Sequence, residues 1–148
     1  MEHDSEWYEA AAEQENEYVR AVIFKPGHPE KPYALEVATR ARDMAGRALG
    51  TDHPAYAEAT QNLGLYYASL GGDPGKAAGF FAEARRTVGP YHPVLSRSFY
   101  FLGLYYLEAG DPVQSRKFFQ EALGIVRREG FPDDPRVDTI LARLAELG

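Results

Sequence analysis

The sequence has no cysteine among its 148 residues. That excludes a disulfide framework, a thiol nucleophile and a Cys-ligated zinc or iron–sulfur site. Long apolar runs are also missing. The longest are a handful of residues, well short of the ~20 that a membrane-spanning helix needs. The opening stretch, MEHDSEWYEA, is acidic where a secretory leader would be basic and then apolar. Net positive charge is lacking too: 16 Lys and Arg stand against 22 Asp and Glu, for a net −6. A nucleic-acid binder carries a basic field or stripe, so none is expected here. These absences leave a soluble, cytoplasmic protein as the expectation, with no nucleic-acid or membrane partner.

What is present is an ordinary globular balance, 45% hydrophobic and 26% charged. The length suits one domain that buries about two-thirds of its unfolded surface without a staple. The charge is unevenly placed. Residues 1–20 hold Glu2, Asp4, Glu6, Glu9, Glu13, Glu15 and Glu17 against Arg20 alone, so this segment carries the whole −6. It is expected either to steer a basic partner or to cover part of the protein's own surface.

Internal repetition decides the architecture. HPAYAEATQNLGLYY (53–67) and HPVLSRSFYFLGLYY (92–106) match at His-Pro and at Leu-Gly-Leu-Tyr-Tyr, 39 residues apart. GDPGKAAGFFAEA (72–84) and GDPVQSRKFFQEA (110–122) match at an offset of 38. Ala34 and Ala41 repeat the spacing of Ala77 and Ala84, and RVDTILARLAELG after Pro135 opens a further copy. The chain therefore divides into an acidic, degenerate first helix (1–33), the second helix of copy one (34–54), copy two (54–92), copy three (93–134) and a terminal helix (135–148). From Ala84 to Pro93 is 9 residues where Ala122 to Pro135 is 13, so copy two is short by about one turn.

Each copy reads as two helices. The Pro of His-Pro fits the first helical position, which places His53 and His92 at the N-caps. Thr60, Leu63, Tyr67 and Leu70, and then Phe99, Leu102, Tyr106 and Ala109, trace one buried face each. Gly-Asp-Pro breaks the chain at 72–74 and 110–112. The following helices are expected to bury Ala77, Phe80, Phe81, Ala84 and Val88, and Ser115, Phe118, Phe119, Ala122 and Val126. Gly64 and Gly103 recur mid-helix, where glycine costs about 1 kcal/mol relative to alanine. Their recurrence implies a close helix–helix approach. Residues 5–24 can form a helix, with KPGHPEKP (25–32) as a turn after it.

These residues resemble the tetratricopeptide repeat, whose first helix carries a small or aromatic residue, Leu-Gly and Tyr, and whose second carries Ala, Phe and Ala. Here they are Phe99, Leu102-Gly103, Tyr106, Ser115, Phe119 and Ala122. The longer period, the Leu49–Pro54 connection and Asn62-Leu63-Gly64 resemble the kinesin-light-chain type. The likeness covers about residues 32–147. It departs from the pattern at the short second helix of copy two, at Phe101 in place of Asn, and at Ala38 in place of an aromatic residue. It implies an all-α, right-handed solenoid of about three helix pairs plus a single terminal helix, and a protein-binding role as scaffold or adaptor.

Catalytic groupings are lacking. His3, His28, His53 and His92 show no HExxH or comparable metal spacing, and the helix-start reading accounts for the repeated pair. Leu70–Gly75 lacks the Gly-Lys-Ser/Thr ending of a phosphate loop. Asp133-Asp134 and the acids of 1–20 have no apolar pocket predicted around them. No enzyme activity, cofactor or metal is expected. The resemblance implies a concave surface lined by the first helix of each copy. The positions assigned to it are Glu58, Gln61, Asn62, Leu65 and Ser69, then Arg97, Tyr100, Phe101, Leu104 and Glu108, then Thr139, Ala142 and Arg143. An extended peptide is expected there, its backbone held by amides, its apolar residues by the aromatics and its carboxylates by Arg97 or Arg143. The competing expectation for the same positions is solvation or contact with the acidic helix. The alternative function is self-association through an uncovered face of the terminal helix formed by Ile140, Leu141, Leu144 and Leu147.

Overall fold

The computed structural model describes residues 4–128 and 135–147. Seven α-helices account for most of them: α1 Ser5–Phe24, α2 Ala34–Leu49, α3 Pro54–Ala68, α4 Pro74–Val88, α5 Ser96–Glu108, α6 Pro112–Arg128 and α7 Pro135–Glu146. Short 3₁₀ turns, Lys31–Tyr33 and Pro93–Leu95, precede α2 and α5. No strand occurs among the described residues. The chain is all-α, and α1 has the bounds that its sequence implies.

Helix starts follow the sequence punctuation. Asp4 caps α1 by accepting the Trp7 N–H at 2.8 Å. Asp73 and Asp111 accept the Lys76 and Gln114 N–H groups at 3.1 Å each, ahead of Pro74 and Pro112. The incoming ends are closed by the same residues, because the Asp73 and Asp111 N–H groups return to the carbonyls of Tyr67 and Tyr106. Gly72 and Gly110 make that reversal with φ of +59° and +77°, which a side chain would resist. His53 and His92 act as N-caps through Nδ1, accepting from Ala55 N and Val94 N. His28, read from the sequence only as a loop residue, makes the same turn, with Nδ1 accepting from Glu30 N at 3.1 Å. After His92 the first turn is 3₁₀, so α5 begins at Ser96 rather than at the proline.

The helices fall into two compact units, one ending at Val88 and one starting at Gly89. In the first, α1 packs on α2 and α3, α2 on α3, and α3 on α4. Its core is rich in alanine (Ala12, Ala38, Ala41, Ala45, Ala57, Ala77, Ala84), with Val19, Val22, Ile23, Leu63, Leu65 and Phe81 between them. Small side chains let helix axes approach closely. In the second unit α5 packs on α6 and α6 on α7. Its core is bulkier: Leu95, Phe99, Leu102, Phe118, Phe119, Leu123, Ile125, Val126, Val137 and Ile140.

The repetition extends to side-chain geometry. A Cβ placed on Gly64 would lie 2.5 Å from the Phe81 ring, and one on Gly103 would lie 2.5 Å from the Phe119 ring. Tyr67 stacks on Phe80 at 5.6 Å and Tyr106 on Phe118 at 5.7 Å, nearly parallel in both cases. Tyr66 and Tyr105 sit edge-on to these tyrosines at 5.1 Å each. One difference replaces an apolar contact by a hydrogen bond: Ser115, where copy two has Ala77, donates to the Gly103 carbonyl at 2.7 Å. Burial lifts the Tyr106 phenol above its ordinary pKa, with Tyr105 and Asp111 adding to the shift.

Some expectations are corrected. Leu70 and Ala109 lie past the ends of α3 and α5 and are exposed, so neither completes the buried face. Phe80 and Val88 are half-buried. Helix α4 has 15 residues against the 17 described in α6, so copy two's second helix is the shorter.

Candidate functional site

The positions assigned to a groove behave differently in the two units. On α3, Glu58, Gln61, Asn62 and Leu65 are 0–4% exposed. Ser69 is buried too and donates back to the Leu65 carbonyl. Helix α1 is what meets this polar face. Arg20 Nη1 donates to Glu58 Oε2 at 2.7 Å, with both side chains about 95% buried. Asn16 Nδ2 donates to the Ala55 carbonyl, and Asn62 Nδ2 approaches the Asn16 carbonyls at 3.4 Å. At the start of α3, His53 Nδ1 accepts a backbone N–H, which leaves the ring proton on Nε2, 3.1 Å from Glu9 Oε1. The lone base of the acidic segment is thus consumed inside the first unit. Glu58, Gln61, Asn62 and Leu65 are buried and so not open to a ligand, and the acidic helix meets this face at Glu58 and Asn62.

On α5 the corresponding Arg97, Tyr100, Phe101 and Leu104 are all half-buried. Their i, i+3, i+4, i+7 spacing makes a second stripe beside the buried Phe99 and Leu102. Tyr100 lies 6.0 Å from Phe101, edge to face, and 5.8 Å from the buried Phe119. Two aromatic side chains are therefore held by packing while keeping part of their surface in water. Glu108 is exposed at the end of α5.

On α7, Thr139 and Ala142 are exposed and Arg143 is half-buried, with Nη1 3.4 Å from Glu146 Oε2. The apolar face proposed for self-association is partly used up. Ile140 and Val137 are buried in the second unit, whose α7 packs on α6, and the Arg116 guanidinium donates to the Leu147 carbonyl at 2.8 Å. Leu141 remains 39% exposed, and Leu144 and Leu147 are half-buried.

A further concavity was missed by sequence reasoning. Between α1 and α2 lies an open cleft of about 460 Å³. Ala11, Val37 and Met44 form its apolar lining, Trp7, Tyr8 and Tyr18 its aromatic walls, and Glu15, Glu30 and Arg40 its charged rim. Trp7 and Tyr8 meet at 5.2 Å, ring edge to ring face. Tyr18 donates to Glu30 Oε1 at 2.8 Å, and that bond is the main cause raising the phenol above its ordinary pKa, so it stays a donor. The signal was in the sequence: Trp7, Ala11, Gln14, Glu15 and Tyr18 make a helical stripe distinct from Ala12, Asn16, Val19 and Ile23.

Among the described residues no group of three His, Asp or Glu is placed to hold a metal ion. His3 and Asp133-Asp134 lie outside the described residues. No described helix is long and apolar enough to cross a membrane. No protein-family model matches the chain, and no curated protein matches it.

Proposed function

We propose that the chain is a protein-interaction module built of tetratricopeptide-type helix pairs in a right-handed solenoid, acting as a scaffold or adaptor without chemistry of its own. The recurrent Gly64/Phe81 and Gly103/Phe119 contacts support the repeat type, since they place Leu-Gly of one helix against Phe of the next. The partner segment lies on α5, against Arg97, Tyr100, Phe101 and Leu104, with Thr139 and Arg143 of α7 as further contacts. The observation that carries this reading is the half-exposed Tyr100–Phe101 pair, anchored on buried Phe119. Pre-packed aromatics offer contact area at little entropy cost, the property of interface anchors. The amide-lined stretch on α3 is no part of this surface. A partner segment with an apolar residue for the ring pair and a carboxylate for Arg97 fits best.

The test is affinity capture from native lysate with the full chain, parent and Tyr100→Ala side by side. Truncating an anchor of this kind costs about 2 kcal/mol or more. The captured partner should therefore bind Tyr100→Ala at least tenfold more weakly, with unchanged helical circular dichroism. Lys117→Ala, on exposed α6 surface, should bind like the parent. Equal capture by all three proteins removes α5 as the binding face.

A further inference from the structure

We propose that the α1–α2 cleft is a second, independent docking site, and that its occupant is a basic amphipathic helix of another protein. Shape points to a helix. Two packed helices leave a groove between them that the side-chain ridge of a third fills. The lining stripe from Trp7 to Tyr18 runs ~16 Å along α1, the length of about three helical turns. The floor is apolar, and Trp7 and Tyr18 remain 49% and 37% exposed.

Charge selects the sign of the occupant. Glu15 stands on the cleft's own stripe of α1, while that helix's one base, Arg20, is buried against Glu58. The rim itself holds Glu15 and Glu30 against a single cation, Arg40. A Lys or Arg flanking the incoming apolar ridge pairs with Glu15 or Glu30 and can lie over the Trp7 face. A second copy bringing the same face would set acid against acid, and an anionic lipid surface would be repelled for the same reason. This site shares no residue with α5, so its failure and that of the α5 surface are separable.

Trp7 is the only tryptophan in the chain, so its emission reports this cleft directly. The probes are two synthetic amphipathic helices of about three turns, one of Leu and Lys and one of Leu and Glu. The full-length protein should show a saturable blue shift with the Leu/Lys peptide, weakened by added salt, and none with the Leu/Glu peptide. Ala11→Gln fills the cleft without changing charge and should weaken the Leu/Lys peptide at least tenfold. Arg40→Gln, on exposed surface, should tighten it two- to threefold, and keeps the test valid if Ala11→Gln fails to fold. The proposal is overturned if the Leu/Glu peptide binds equally, or if a folded Ala11→Gln binds like the parent. It is also overturned if Arg40→Gln leaves affinity unchanged or lowers it, or if the protein sediments as a dimer whose Trp7 emission is already blue-shifted without peptide.

Discussion

At the scale of single residues, the buried Arg20–Glu58 pair is the clearest case of an interaction that decides between two readings of one position. Glu58 has the right phase to line a groove, yet its carboxylate is satisfied inside the molecule at 2.7 Å. Removing one partner takes the ion-pair counterpart from a charge that stays buried, which costs up to about 3–5 kcal/mol, whereas replacing both by apolar groups can be close to neutral. Glu58→Gln and Arg20→Met alone should therefore each lower stability by about that amount, and Glu58→Leu with Arg20→Met by much less. Urea unfolding of the three variants checks this. Equal losses in all three would mean that packing, rather than charge compensation, holds α1 to α3. Nothing in the local sequence announces this pair. Arg20 and Glu58 are 38 residues apart, on helices whose relation rests on α1, the one helix with no matching copy.

At the scale of elements, the repeat made most of the helices legible, because matched motifs fix helix phase twice over. The His53 and His92 caps and the Phe81 and Phe119 contacts with glycine follow from it. Facing direction at the ends does not: Leu70 and Ala109 continue the period on paper, but α3 has ended at Ala68 and α5 at Glu108. The acidity of α1 hides the cleft in the sequence, because its aromatic stripe meets α2 on a different side from its buried contact with α3. The glycines give an element-scale prediction with a built-in control. Both Gly103 and Gly124 are helical, and alanine is worth about 1 kcal/mol over glycine in a helix. At Gly124 a Cβ meets nothing within 4 Å, so Gly124→Ala should stabilise by up to about that amount. At Gly103 the Cβ would meet three Phe119 ring atoms at 2.5–2.8 Å, and that ring is fully buried. Overpacking of this kind costs about 1–3 kcal/mol, so Gly103→Ala should destabilise. Thermal melting that moves the same way for both variants would show that α5 and α6 separate easily at this point.

At the scale of the whole molecule, the question is whether the apolar face of α7 pairs one copy of the chain with another. The spacing of Ile140, Leu141, Leu144 and Leu147 on α7 suggests an apolar face. The second unit uses much of it internally. Ile140 is 1% exposed and Val137 is buried beside it, which leaves Leu141 as the principal exposed apolar side chain among those described on α7. A stable protein–protein interface buries about 1,200–2,000 Å² in total, far more than one partly exposed leucine and its half-buried neighbours supply. The α1 surface, acidic along its exposed side, further disfavours like-with-like pairing. The protein should therefore sediment as a monomer from micromolar to near-millimolar concentration, and Leu141→Asp should leave that behaviour unchanged. Growth in mass with concentration that Leu141→Asp abolishes would restore the self-association reading. Growth that Leu141→Asp leaves intact but that salt or Ala11→Gln alters would place the contact at the α1–α2 cleft instead.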